Sequence, residues 1–100
     1  MTKQINLYVN DISIQLDYFV AGYIDHTVRG ILSSLRDTGE VESLELVMDN
    51  EGGITISLNE CDVPLKEFPQ EIIKRTILGM VSPLKGVEKE INKIKIKVKS

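Results

Sequence analysis

Hydrophobic and polar residues alternate in four separate stretches of the chain. Apolar side chains occupy every second position at residues 5–9, 44–48, 54–58 and 94–98. This period of two predicts strands with one buried face. Two longer stretches, from about Asp17 to Asp37 and from about Lys66 to Lys85, instead repeat apolar residues at helical spacing. Asp17 suits a helix N-cap, and Pro69 falls in the first turn of the second predicted helix.

The two halves of the chain also resemble each other. Residues 5–35 align without a gap with residues 54–84, and nine positions are identical. The identical pairs are Ile5/Ile54, Asn10/Asn59, Leu16/Leu65, Phe19/Phe68, Ile24/Ile73, Thr27/Thr76, Gly30/Gly79, Ser33/Ser82 and Leu35/Leu84. Two copies are too few for a solenoid, so we expect them to pack together as a pseudo-dimer. One hundred residues hold one core, which predicts a single domain over 1–100 with repeats 1–49 and 50–100.

The order of elements predicts an α+β fold. Asn10-Asp11 and Asn59-Glu60 are typical of tight turns, and short hairpin arms could follow at 12–16 and 61–65. The sequence DNEGG predicts a hairpin between the two halves. A βαββαβ order closes most simply as a ferredoxin-like plait, a four-stranded antiparallel sheet with two helices on one face. In that plait the strand around Leu46 and the C-terminal strand lie at the edges.

Helical phase assigns a sheet side and an outward side to the first helix. The predicted sheet side is Val20, Ile24, Thr27, Val28, Ile31 and Leu35. The predicted outward side is Gly22, Asp25, His26, Arg29, Ser33 and Arg36. Gly30 and Gly79 lie on equivalent flanks, beside Phe19 and Phe68. Because a glycine inside a helix is unfavourable, we expect the two glycines to mark the closest approach of the helices.

Composition narrows the functional classes. A net charge of −3 argues against a dedicated nucleic-acid or membrane-surface binder. The single cysteine, Cys61, gives no disulfide framework and no cysteine-rich metal site, and no phosphate-binding glycine loop is present. Cys61 aligns with Ile12, which favours a small buried side chain over a nucleophile. No cofactor is expected. The absence of an apolar leader in MTKQINLY predicts a cytoplasmic protein.

Three surfaces could carry function. His26 and Arg29, with Asp25, resemble an acid–base cluster, but a solvated helix face is the simpler interpretation, so an enzyme is the least favoured class. The open sheet face is predicted to present Asn6, Tyr8, Glu45, Val47, Thr55, Ser57, Lys93, Lys95 and Lys97. Lysines at a sheet edge often only prevent aggregation. Leu78 replaces Arg29 in the second half and could mark an interface on an otherwise charged helix side.

These patterns lead to one functional hypothesis and one alternative. The first is a small non-enzymatic module that binds itself or a protein partner. Its candidate binding residues are Tyr8, Asn6, Thr55, Lys95, Leu78, His26 and Arg29. The alternative is a regulatory domain that senses a small metabolite at a dimer interface. We expect the protein to form a homo-oligomer, and we do not expect it to bind nucleic acid or a membrane.

Overall fold

The computed structural model describes residues 4–35 and 41–99. These residues form eight elements: β1 (Gln4–Val9), β2 (Ile12–Ile14), α1 (Tyr18–Leu35), β3 (Ser43–Met48), β4 (Ile54–Leu58), β5 (Cys61–Val63), α2 (Glu67–Val81) and β6 (Ile94–Lys99). The two halves therefore have the same order of elements, a hairpin, a helix and a strand. The predicted end of the first helix at Asp37 lies outside the described residues, and α2 ends before the predicted Lys85.

The described strands form one antiparallel sheet in the order β2-β1-β6-β3-β4-β5. The α+β class is confirmed, but the prediction of four strands is wrong because both hairpin arms join the sheet. The ferredoxin-like plait is not confirmed. The strand around Leu46 and the C-terminal strand were expected at the edges, whereas β3 and β6 pair with each other at the centre, with Leu46 opposite Ile96.

The hairpin arms explain this strand order. β2 pairs with one edge of β1, and β5 pairs with one edge of β4. Each of these two long strands then has a single edge left for another long strand. A plait needs β1 and β4 at the centre, where both edges are used. With one edge occupied by its own arm, each must lie outside β3 and β6.

Two asparagines hold the halves together at the strand ends. The tight turns are formed by Asn10-Asp11 and Asn59-Glu60, all with positive φ between 48° and 68°. Asn10 Oδ1 accepts hydrogen bonds from the backbone N–H groups of Asn92 and Lys93, at 2.7 and 3.0 Å.

Asn59, in the second half, accepts an equivalent pair of backbone hydrogen bonds from the first half. Its Oδ1 accepts hydrogen bonds from the backbone N–H groups of Glu42 and Ser43, at 2.8 and 3.0 Å. Each asparagine thus fixes the start of a central strand that belongs to the other half.

The core lies between one face of the sheet and both helices. Cross-strand register places Leu7, Ile96, Leu46 and Ile56 in one row, and all four are buried. The buried apolar side chains of the helices belong to the same cluster. They are Ile24, Val28 and Leu32 in α1 and Ile73, Ile77 and Val81 in α2. The helices therefore bury equivalent positions, and the opposite sheet face carries no helix among the described residues.

Two predictions about the helices are wrong. Asp25 was assigned to the outward side of α1 but is only 5% exposed, beside the buried Ile24, and Leu32 rather than Leu35 is fully buried. A Cβ built on Gly30 or Gly79 would meet no other atom within 4 Å. The two glycines therefore do not mark a close helix contact. They lie on open helix surface.

Candidate functional site

Exposed apolar side chains lie in two groups, one on each helix, which together we call the helix-layer patch. It consists of Tyr18, Phe19 and Tyr23 on α1 and Phe68 and Ile72 on α2. Their exposed fractions are 97%, 71%, 54%, 73% and 53%, respectively. Single exposed apolar residues are ordinary, but five on two helices of a small domain are not.

The spacing of these residues makes each part of the patch continuous. Phe19 and Tyr23 are one helical turn apart, and their ring centroids lie 5.8 Å from each other. On α2, Phe68 and Ile72 have the same spacing. Further along that line Thr76 Oγ1 donates a hydrogen bond to Ile72 O at 2.8 Å, so this hydroxyl already has a partner within the helix.

A groove separates the N-terminal part of α1 from the C-terminal part of α2. A cavity of about 240 Å³ lies between Phe19 and Tyr23 on one side and Gly79, Met80 and Pro83 on the other. The flank of Gly79 thus faces Phe19 and Tyr23 of the opposite helix. Gly79 is not in close contact with these aromatic rings, so the space between the two helices stays open as a groove.

The predicted acid–base cluster is divided between buried and exposed positions. Arg29 Nε donates a hydrogen bond to Asp25 Oδ1 at 2.7 Å, and their side chains are 26% and 7% exposed. Arg29 Nη2 is buried and has no hydrogen-bond partner among the described residues. His26 is exposed on the neighbouring position. The pair is local to one helix, and its geometry is that of a partly buried ion pair rather than of a pocket that activates His26.

Two other predicted positions differ from their sequence interpretation. Leu78 is half-buried and packs against the core, so it is not an isolated exposed leucine. Cys61 was expected to be buried but is an exposed free thiol at the start of β5. The hairpin arm turns this position towards solvent, as it does its counterpart Ile12, which is 51% exposed.

The open sheet face has the predicted residues in a defined register. One cross-strand row contains Tyr8, Lys95, Val47 and Thr55, and the next contains Asn6, Lys97, Glu45 and Ser57. A third row places Lys99 between Gln4 and Ser43. Of the predicted binding residues, Asn6, Tyr8, Thr55 and Lys95 therefore share this face. His26, Arg29 and Leu78 belong to the helices on the other side of the sheet.

The lysines of this face are central in the sheet. Lys95, Lys97 and Lys99 all belong to β6, which has β1 on one side and β3 on the other. Protection of a sheet edge therefore does not explain them. Lys97 Nζ lies 4.0 Å from Glu45 Oε2, a weak contact between half-exposed groups. Lys93, just before the strand, pairs with Asp11 at 3.3 Å.

Acidic residues collect at one end of the sheet. A cavity of about 710 Å³ there is lined by Asp11, Asp49, Glu51, Glu88 and Glu90 together with Lys93. Within residues 4–35 and 41–99, no group of three or more histidine, cysteine or acidic side chains is arranged to hold a metal ion. In the same ranges no helix combines the length and the apolar character needed to cross a bilayer.

Comparison with known proteins gives no relative. No protein-family model, no curated protein and no solved structure has a significant match to this chain. We therefore propose a function from the surfaces of the molecule itself.

Sequence reasoning missed the helix-layer patch, although part of the signal was present. Phe19 and Phe68 are identical in the alignment and share a flank with Gly30 and Gly79. That flank was assigned to an internal helix contact, which would have buried it. Tyr18 gave no signal, since it aligns with Glu67.

Proposed function

We propose that this protein is a non-enzymatic self-association module, in which two copies bind each other through the helix-layer patch. The observation that carries the proposal is the exposure of Tyr18, Phe19, Tyr23, Phe68 and Ile72 on the outer side of the two helices. Burial of such side chains is the main favourable term in most protein association. Aromatic residues are also enriched at the centres of protein interfaces.

The area of the patch suits a dimer. An aromatic side chain can bury 150–250 Å², so four that are half or more exposed present roughly 500 Å². A standard interface needs about 800 Å² from each partner. The patch supplies the apolar centre of such an interface, and the neighbouring polar residues of both helices can supply its rim.

The arrangement of the patch favours a second copy over an unrelated partner. A twofold dimer requires a surface that complements itself. Phe19 aligns with Phe68 and Tyr23 aligns with Ile72, so the two ends of the patch present similar groups on helices of similar phase. Two copies can therefore place α1 of one against α2 of the other twice. The similarity of the two ends depends on the tandem-repeat interpretation, which the matching asparagine contacts support.

The test is sedimentation equilibrium of the wild-type chain and of a Phe19→Ser/Phe68→Ser variant. A symmetric dimer would lose four phenylalanine side chains, and burial of each contributes roughly 2 kcal/mol. We expect a wild-type dimer at micromolar concentration and a dissociation constant at least 100-fold higher for the variant. Thermal unfolding should remain cooperative, because both residues are exposed in the monomer.

Ile12→Ser is the matched control. Ile12 is 51% exposed but lies on β2 and not on a helix, so its replacement should leave the dissociation constant unchanged. A wild-type chain that stays monomeric at millimolar concentration would contradict the proposal. Equal weakening by the control would also contradict it, since the effect would not then depend on the helix layer.

Metabolite sensing at a dimer interface stays our second prediction and has less support. The cavity beside the patch has a volume of about 670 Å³, and its titratable lining includes Asp25 and His26 along with Tyr18 and Tyr23. A polar ligand needs several well-placed polar groups. Asp25 already accepts a hydrogen bond from Arg29, which reduces what it can offer a ligand.

The cytoplasm remains the proposed compartment. Cys61 is an exposed free thiol, and such a thiol is most stable where the environment is reducing.

A further inference from the structure

The open sheet face is divided into two halves of different charge. Over β1 and β6 its outward residues are Gln4, Asn6, Tyr8, Lys95, Lys97 and Lys99. Over β3, β4 and β5 they include Glu45 and Asp62 and contain no lysine or arginine. Among the described residues, the β1–β6 half therefore carries three positive charges and no carboxylate, in a chain whose net charge is −3.

The three lysines are only partly neutralised. Lys97 is 4.0 Å from Glu45, whereas the cross-strand neighbours of Lys95 are Tyr8 and Val47. Lys99 lies between Gln4 and Ser43, which are neutral. Alternate positions of a strand are about 6.8 Å apart, so the lysines repel one another, and of the three Lys97 alone has an acidic cross-strand neighbour, Glu45. A central strand does not need lysines for edge protection.

The neutral neighbours on β1 add hydrogen-bond donors beside the lysines. Asn6 is opposite Lys97, Gln4 is opposite Lys99 and Tyr8 is opposite Lys95. Amide NH2 groups and a phenol O–H can all donate hydrogen bonds to a carboxylate. The six side chains together form a field of donors with a net positive charge. Such a field is complementary to carboxylates presented by a partner.

We propose that the β1–β6 half of the open sheet face binds an acidic, extended peptide segment of a partner protein. Side chains on one side of an extended segment repeat at about the same 6.8 Å as the lysines of β6. A segment with acidic residues at alternate positions can therefore place one carboxylate near each lysine. The proposal is independent of self-association, because the helix-layer patch lies on the other side of the sheet.

A peptide fits this surface better than a nucleic acid. Proteins that bind single strands stack successive bases on aromatic side chains, and Tyr8 is the one aromatic residue on the described part of this face. The described part of this face therefore lacks the row of stacking side chains that a single strand needs.

The test is fluorescence anisotropy with a labelled twelve-residue peptide of alternating glutamate and serine, in 50 and 150 mM salt. We expect binding that weakens with salt, because exposed charges are screened. In the Lys95→Gln/Lys97→Gln/Lys99→Gln variant the dissociation constant should rise roughly tenfold, from the modest contribution of each exposed ion pair.

The matched control is Lys66→Gln/Lys85→Gln/Lys89→Gln. It removes the same charge from three exposed lysines that lie outside every strand, and it should bind the peptide like the wild type. Equal weakening by both triple variants would overturn the proposal, since net charge alone would then explain binding. So would the absence of peptide binding at 50 mM salt.

Two further arms distinguish other occupants and separate the two proposals. A labelled twelve-nucleotide oligothymidine that binds more tightly than the peptide would overturn the peptide assignment in favour of nucleic acid. The Phe19→Ser/Phe68→Ser variant should bind the peptide normally. If that variant failed to bind while keeping its fold, the sheet face would not be an independent surface and the proposal would be wrong.

Discussion

The two halves of this molecule match in their asparagine contacts and in the buried apolar positions of their helices, and they differ at other helix positions and at outward strand positions. Asn10 and Asn59 each form the first position of a tight turn and each bind two backbone N–H groups at the start of a central strand. The helices bury equivalent positions, Ile24 with Ile73 and Val28 with Ile77. These matching contacts and buried positions are shared by both halves of the fold.

The differences are concentrated on the helices and the outward strand positions. Asp25 and Arg29 form a partly buried ion pair in α1, while the aligned residues of α2 are Lys74 and Leu78, and Leu78 packs against the core. Tyr8 of the open face aligns with Ser57. The comparison can be tested by substitutions that should act equally in both halves and by others that should not.

The largest effect is expected at the two asparagines. Asn10→Ala removes the hydrogen bonds of Asn10 Oδ1 to Asn92 and Lys93 and those of its Nδ2 to Glu88 and Glu90. It also puts an alanine at a φ of 52°. Together these changes should lower the free energy of unfolding by about 3 kcal/mol. Urea denaturation followed by circular dichroism measures it. Asn59→Ala should cost a similar amount, within about 1 kcal/mol, because its Oδ1 accepts an equivalent pair of backbone hydrogen bonds.

Glycine at the same positions separates the two causes. Asn10→Gly keeps a residue that tolerates positive φ but still loses the side-chain hydrogen bonds, so it should cost about 1–2 kcal/mol. Alanine and glycine variants of equal stability would mean that turn strain contributes nothing. A large loss at one asparagine and none at the other would mean that the halves are not structurally equivalent.

A smaller effect, confined to one half, is expected at Arg29. Arg29→Leu installs the residue that α2 has at Leu78 and leaves the buried carboxylate of Asp25 without the guanidinium that now binds it. We expect a loss of about 2 kcal/mol in the free energy of unfolding. Thermal or urea denaturation would measure this loss.

The double variant is the control for Arg29. Asp25→Leu/Arg29→Leu removes both charges, and replacing a buried pair by apolar groups is often close to neutral. It should therefore be more stable than Arg29→Leu alone. If the double variant were the less stable of the two, the pair would not be the reason for the loss.

The sequence pattern predicted the elements well and their arrangement poorly. Alternation located all four long strands, and the Asn-acid turns were recognised from the positive φ that asparagine tolerates. The strand order depends on whether the short arms at Ile12–Ile14 and Cys61–Val63 pair with β1 and β4. Three-residue strands have almost no periodic signal in the sequence. The pairing of these two arms decides the topology, and it therefore had the weakest support from the sequence.

The candidate surfaces show the same limit. Alternation correctly assigned Asn6, Tyr8 and Lys95 to one sheet face, because a strand has only two faces. A helix has no such binary choice. Asp25 was predicted on the outward side of α1 but is only 5% exposed, so the buried side of α1 is wider than its apolar residues indicated. The same difference in packing left the flank of Phe19 open, which the spacing of residues alone does not determine.

The smallest effect is expected at Gly30 and Gly79, and it has the opposite sign from the others. Since an added Cβ meets no atom within 4 Å at either position, Gly30→Ala and Gly79→Ala should each stabilise the monomer by about 0.5–1 kcal/mol through helix propensity. Measuring both on the Phe19→Ser/Phe68→Ser background keeps association out of the unfolding free energy. Equal gains would sharpen the comparison, because they would place both glycines on open helix surface. A loss at either position would instead mean that the helices approach each other there, and the groove beside Phe19 would have to close in solution.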